Sequence, residues 1–303
     1  LWMTDIKSKT LKLDLFVYLK ALFDLMKPRV MSLVIFTCVV GLLIAPVKVD
    51  FWNAFISILA VALGSGAAGV LNMWYEADLD SAMTRTCLRP IPTKKVTKKE
   101  ALIFGIIASV ISVTILYLFS NLVATLILVT TILFYVFIYT IWVKQKTSQN
   151  IVIGGVSGAL PPVIGWAIAT GNISLESIIL FLIIFIWTPS HFWALSLYKM
   201  EDYKNANIPM LPVISGVKVT KLNIFVYAVL LFPIILAPFF LNYFGTIYLL
   251  ISGTLATYYI YICHKLFRAQ ESNLEKKIAK QVFGFSILFL FLVFASILID
   301  SIV

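Results

Sequence analysis

Nine stretches of this chain are apolar for about the length of a bilayer crossing: roughly 30–46, 52–75, 101–119, 121–143, 151–170, 177–198, 219–241, 244–263 and 281–299. A helix needs about 20 apolar residues to cross the hydrocarbon core. Runs that are continuous, not alternating, predict helices as the spanning form. The chain is 61% hydrophobic and 13% charged over 303 residues, against about 45–50% and about 25% in soluble domains. The expected fold is an all-α, polytopic membrane bundle of about nine transmembrane helices. It forms a single domain over residues 1–303, with no Ser/Gly linker or low-complexity tract. Asn121 and Asn242 mark tight turns. Pro161, Pro162, Pro189, Pro233 and Pro238 fall in or beside the runs and are expected to kink them.

Charge sets the orientation. Lys and Arg crowd the segment before the first run (Lys7, Lys9, Lys12, Lys20, Lys27, Arg29) and the 2–3 connection (Arg85, Arg89, Lys94, Lys95, Lys98, Lys99). They recur at 4–5 (Lys144, Lys146), 6–7 (Lys199, Lys204, Lys218, Lys221) and 8–9 (Lys265, Arg268, Lys276, Lys277, Lys280). The other loops hold Lys48 alone. Positive loops stay in the cytoplasm, so the N-terminus is expected inside. The net charge of +10 then reflects topology and attraction to anionic membrane lipid, and calls for no nucleic acid. Cys38, Cys87 and Cys263 have neither metal-ligand spacing nor the pattern of a disulfide framework. The opening LWMTDIKSK is too charged for a signal peptide. Residues 11–25 are apolar at helical spacing with charges between, which predicts an interfacial helix within a cytoplasmic segment 1–29.

Two polar clusters close helices on the basic side. In the first, Asn72, Glu76 and Asp80 are spaced by four and share one slowly drifting helix face. Asp78 lies off that face. Two neighbouring carboxylates near low dielectric need a proton or a cation. An all-oxygen set of two carboxylates and an amide suits Mg²⁺ completed by substrate phosphates. Arg85 and Arg89 follow at the same spacing. A bare cation site has no use for guanidiniums, whereas a Mg²⁺-bridged diphosphate does. The second cluster closes helix 6 as YKMEDYKN, 198–205. Four helices separate the two clusters, consistent with two four-helix halves plus one added helix. Ionisable groups at membrane depth are functional by default, and two oxygen-rich clusters on one side of a bundle can clamp one diphosphate.

These residues resemble the UbiA-type intramembrane prenyltransferases, and within them the heme O synthase (protoheme IX farnesyltransferase) branch. The resemblance rests on KPRVM at 27–31, NMWYEADLDSAMTRTCLRPIP at 72–92, YTIWVKQKTSQNIVIGGVSGALPPVIGWAIATG at 139–171 and WTPSHFWALSLYKMEDYKNANIPMLPV at 187–213. Those stretches make up about a third of the chain and follow the branch in order and spacing. Two positions depart from the wider pattern. Met73 stands where Asp often follows the Asn, and the second motif offers Glu201 with Asn205, or Asp202 with Ala206, in place of two aspartates.

The resemblance implies transfer of farnesyl from farnesyl diphosphate to a vinyl group of heme B, with water added and diphosphate released. The product, heme O, would serve terminal oxidases directly or through heme A synthase. Heme B is substrate, and Mg²⁺ the one cofactor. The expected catalytic residues are Asn72, Glu76, Asp80, Arg85 and Arg89. Metal ligands are expected at Asn72, Glu76 and Asp80, and at Glu201, Asp202 and Asn205. Substrate contacts are expected from Lys27, Arg29, Asp78, His191, Tyr198, Lys199, Asp202, Tyr203 and Lys204. Imidazole is a common haem ligand, so His191 is the candidate for heme contact. Trp74, Phe192 and Trp193 are candidates for a wall that keeps water from an allylic cation. The implied setting is the bacterial inner membrane with the site facing the cytoplasm; self-association is left open. The rival readings are prenyl transfer to a quinone precursor or chlorophyllide, a transporter, and an oxidase-assembly subunit.

Overall fold

The computed structural model describes residues 15–302, and among them it contains helices and no strand. Eight helices are long and apolar enough to cross a membrane alone. They are α3 (Phe51–Tyr75), α5 (Lys98–Phe119), α6 (Leu122–Val143), α7–α8 (Asn150–Thr170), α9 (Leu175–Tyr198), α12 (Gly216–Phe240), α13 (Thr246–Arg268) and α14 (Ser272–Ile302). The ninth crossing belongs to a bent pair, α1 (Leu15–Leu25) and α2 (Pro28–Leu43), which meet at 52°. Short helices α4 (Ala77–Ser81), α10 (Met200–Asn205) and α11 (Leu211–Ile214) sit on the basic connections.

Local chemistry fixes the ends. Thr97 and Glu100 form a capping box at the start of α5, Ser174 and Ser177 another at α9, and Asp50 accepts from the amides of Trp52 and Asn53 at α3. The expected turns are present: Asn121 caps α6, and Asn242 adopts a left-handed φ of 59°. The first crossing differs from the expected 30–46. It starts at Pro28, well placed at a first helical position, and stops at Leu43 because Pro46 disfavours helix in the residue before it. Of the interfacial helix expected at 11–25, residues 15–25 are helical and 11–14 lie outside the described residues. Ala21 and Leu25 of α1 pack with Val70 and Met73 of α3 and with Ile91 and Val96 of the following loop. Helix α14 starts nine residues before the expected run at 281, so its first turns carry Lys276, Lys277 and Lys280 beyond the apolar stretch.

Two large apolar cores divide the bundle. One joins α2, α3, α5, α6 and α8; the other joins α7, α9, α12, α13 and α14. Pro161 and Pro162 break the fifth crossing at Leu160, and its two pieces serve different cores. Pro189, Pro233 and Pro238 stay inside continuous helices. Helices α2 and α14 meet through Phe36 and Phe291, whose ring centroids are 4.8 Å apart.

An ion pair fastens the second half at its basic end. Lys221 of α12 pairs with Glu275 of α14 and donates to the carbonyl of Ala269 at 2.6 Å. Lys221 is nearly buried, and losing its partner leaves a charge with one carbonyl. Glu275→Ala is expected to cost about 2 kcal/mol, below the ~3–5 kcal/mol of a fully buried pair because Glu275 keeps some solvent. Thermal unfolding in detergent should show a midpoint several degrees lower; an unchanged midpoint would refute the clasp.

Candidate active site

The first cluster forms where α3 ends. Asn72 lies in its last turn, Glu76 at the junction, and Asp80 in α4. All three are buried, at 2%, 4% and 3% exposure, so their charges and dipoles must be met by protein. Three basic residues from three parts of the chain meet them.

Lys27 donates to Asn72 Oδ1 at 2.6 Å. It sits at the α1–α2 bend with a left-handed φ of 56°, a conformation costly for a residue with a Cβ. That bend turns its side chain onto α3, where its stem passes Gly69 at a distance an added Cβ would bring to 3.6 Å. Arg89 Nη1 donates to both oxygens of Asp80 at 2.8 and 2.7 Å. Lys144 Nζ lies 2.5 Å from Glu76 Oε1 as an ion pair, without hydrogen-bond alignment.

Helix α6 supplies the fourth wall. Its last ten residues, Phe134–Val143, are π-helical, with i→i+5 bonds such as Lys144 N to Tyr139 O. Such turns often mark functional sites. Thr140 accepts from Asn72 Nδ2 at 3.1 Å and donates to the Tyr135 carbonyl at 2.8 Å. Tyr139 packs beside Tyr135, with ring centroids 5.4 Å apart and the rings tilted by 31°. Its ring lies against Gly154, where a Cβ would come within 2.3 Å.

The second cluster is only partly gathered. Asp202 and Tyr203 are buried, whereas Glu201, Lys204 and Asn205 are exposed. The trio Glu201, Asp202 and Asn205 expected for a second metal is therefore not assembled. Asp202 accepts from Thr84 through both oxygens, at 2.7 and 2.8 Å, and Lys199 stands 3.9 Å away. The Thr84 bond ties the loop after the first cluster to the second. Arg85, next to it, is exposed.

Other expected residues lie apart. Asp78 points outward, 91% exposed at its side chain, and pairs with Lys98 at 2.7 Å. Arg29 is exposed at the start of α2. His191 is buried deeper in α9, between Trp187 and Phe283 at centroid distances of 4.3 and 4.7 Å, with Nδ1 2.6 Å from Ser286 Oγ. Trp74 packs near α1 and Trp193 against Tyr227 in the second core, so with Phe192 they do not form one wall. The sequence reading treated Lys144 as a topology charge and passed over Thr84, Thr140 and Tyr139.

The first cluster fits a hard divalent cation. It offers two buried carboxylates and an amide, all oxygen, and Glu76 Oε1 is a buried acceptor with no aligned donor. Among the described residues no three His, Cys, Asp or Glu side chains converge, so a cation here would need further oxygens from a ligand such as a diphosphate. The surrounding Lys27, Arg89 and Lys144 supply the positive field such a ligand requires.

Among the described residues, a bundle of eight spanning helices and one bent pair, with an acid–base cluster at the end of α3, defines a class. The UbiA prenyltransferase family profile matches residues 34–293, and the chain belongs to that family; it is a membrane-embedded prenyltransferase. Within the family it stands with the protoheme IX farnesyltransferases. That of Pelagibacter ubique is 58% identical over 281 residues, 93% of each chain. That of Parvibaculum lavamentivorans is 48% identical over 279 residues, 92% of this chain and 88% of the other. The fold is shared with digeranylgeranylglyceryl phosphate synthase (TM-score 0.78, 21% identity, 94% of this chain and 99% of that one). It is also shared with a UbiA homologue from Archaeoglobus fulgidus bound to DMAPP and Mg²⁺ (TM-score 0.69, 16% identity, 93% and 99%).

Proposed function

We propose that the chain joins the farnesyl group of farnesyl diphosphate to a vinyl group of heme B at the cytoplasmic face of a bacterial inner membrane. The C1–O bond of the diphosphate breaks and C1 bonds the terminal vinyl carbon. Water adds to the inner vinyl carbon and gives up a proton, leaving a hydroxyethylfarnesyl group and free diphosphate. The observation that carries this reading is the buried cluster in which Asn72, Glu76 and Asp80 face Lys27, Lys144 and Arg89.

Asn72, Glu76 and Asp80 are the residues that would hold Mg²⁺. When bound, the ion offsets the charge of the leaving diphosphate. Lys27, Arg89 and Lys144 already point into the cluster and can turn from the Asn72 amide and the two carboxylates to phosphate oxygens, with Arg85 close by. Thr140 holds the Asn72 amide so that its oxygen faces Lys27. Tyr135 and Tyr139 form a dry aromatic wall beside the cluster, where an allylic cation is shielded from early capture by water. His191, on the α9 face toward α14, is the candidate contact for the heme acceptor.

The product assay tests the whole reading: protein, heme B, farnesyl diphosphate and Mg²⁺, with an EDTA control, read by porphyrin mass. A Mg²⁺-dependent hydroxyethylfarnesyl product is expected, and unmodified heme from intact protein would overturn it. Lys144→Met should raise KM for the diphosphate about 10–100-fold, the worth of a charge-assisted hydrogen bond, with partial rescue in Lys144→Arg; an unchanged KM would remove Lys144 from the site. His191→Ala should weaken heme B binding about tenfold with farnesyl diphosphate affinity unchanged. The reverse pattern in a paired titration would exclude the acceptor role.

A further inference from the structure

A cleft opens between the basic ends of α9 and α14. It encloses about 180 Å³, lined in part by Tyr198, Lys199, Glu201, Asp202 and Lys276. Lys280, one turn along α14, holds its ammonium 5.8 Å from the centre of the Tyr198 ring. Asp202 is already engaged by Thr84 and Lys199. Among the described residues, Lys276 and Lys280 join no ion pair, and both are exposed.

An aromatic column leads from this cleft into the bundle. Tyr198 meets Phe283 edge-on at 5.9 Å, Phe283 stacks on His191 at 4.7 Å, and His191 stacks on Trp187 at 4.3 Å. Tyr198 and His191 are seven residues apart on α9, two helical turns or about 10 Å. Cations at the membrane boundary, continued inward by flat rings, match a ligand with an anionic edge and a broad apolar body. The volume suits the carboxylate arms of such a ligand and not its ring system. The ring must therefore lie against the partly exposed faces of Tyr198 and Phe283.

We propose that this cleft receives the propionate carboxylates of the porphyrin acceptor, with Lys276 and Lys280 as the recognising cations; this rests on the porphyrin reading given above. Porphyrin propionates and vinyls occupy opposite edges, so anchoring the propionates here turns the vinyl edge toward the interior. The shared chemistry, an anion at the membrane boundary, also describes a lipid phosphate, and the test separates the two.

Wild type and the Lys276→Gln/Lys280→Gln double variant, in phosphatidylcholine nanodiscs, are titrated with protoporphyrin IX and with its dimethyl ester by tryptophan quenching. Using the metal-free ring removes iron ligation from the comparison. Wild type should prefer the free acid by about tenfold, the worth of two exposed ion pairs, and the double variant should bind both forms within about twofold. Farnesyl diphosphate affinity should match in the two proteins. A preference kept by the double variant overturns the proposal. Equal binding of acid and ester by wild type also overturns it and leaves the porphyrin reading standing, whereas no porphyrin binding at all overturns both. If the lysines govern only phosphatidylglycerol retained in native mass spectra, with the porphyrin preference unchanged, the cleft is a lipid site and the proposal falls.

Discussion

Asp80→Ala is expected to lower product formation by about 10³-fold, the scale on which loss of one preorganised charge-stabilising group is felt. The carboxylate is 3% exposed and binds Arg89 through both oxygens. Removing it takes away a candidate metal ligand and leaves the guanidinium without its partner. Breaking a buried pair from one side can cost ~3–5 kcal/mol, so Asp80→Asn is the needed companion. It keeps the shape and an oxygen for Arg89 while losing the charge. Both variants should elute as intact protein in detergent, and both should be nearly inactive in the porphyrin-mass assay. Asp78→Ala, two residues away, should stay within about twofold, because that carboxylate faces solvent and, among the described residues, pairs with the exposed Lys98. Full turnover in Asp80→Asn would sink the metal–diphosphate assignment.

The second large effect should come from a residue with no chemistry. A Cβ on Gly165 of α8 would stand 1.9 Å from the carbonyl oxygen of Cys38 and 2.9 Å from the amide of Leu42. One turn away, a Cβ on Gly41 of α2 would stand 2.1 Å from the carbonyl of Pro162. The two helices thus touch backbone to backbone at two levels, as small residues allow in membranes. No side chain can rotate away from a methyl placed there. Gly165→Ala should therefore cost about 3 kcal/mol, the upper end of ordinary overpacking, and lower the unfolding midpoint by about 5–10 °C. Gly158→Ala in α7 is the control, since its Cβ would meet nothing within 4 Å and alanine is the better helix former. Activity should fall in Gly165→Ala too, because α2 begins beside Lys27 and its displacement pulls that ammonium from Asn72. Equal midpoints for the two variants would show that the α2–α8 contact is looser than this.

The transmembrane helices were legible because apolar length is a local property of sequence. The Asn72–Glu76–Asp80 face was legible because four-residue spacing survives the α3–α4 junction. The partners were not. Thr140 lies within a π-helical stretch and Lys144 directly after it, where five-residue steps replace the three-and-four rule. A reader who assumes α spacing turns them to the wrong side. Thr84 and Asp202 are 118 residues apart, and no periodicity links them. The bend at Lys27 was not legible: the first apolar run is read from about residue 30, and nothing in the sequence announces a left-handed residue at 27. Glu201 and Asn205 share a face by their four-residue spacing, with Asp202 beside it, and that face misses the site, since α10 is a short helix whose outer side meets solvent.

The break at Leu160 makes the fifth crossing common property. Its first piece completes one core and its second piece the other, so neither half of the molecule is a closed structure without it. A chain emerging from synthesis can assemble α2, α3, α5 and α6 but has no final wall for that core until residues 161–170 arrive. By then the first strip of the other core is already in place. The two halves are therefore coupled in the order of assembly as well as in the finished fold, and a cut in the Lys144–Gln149 connection would leave the first core without its α8 wall, stranded on the fragment that carries the second core.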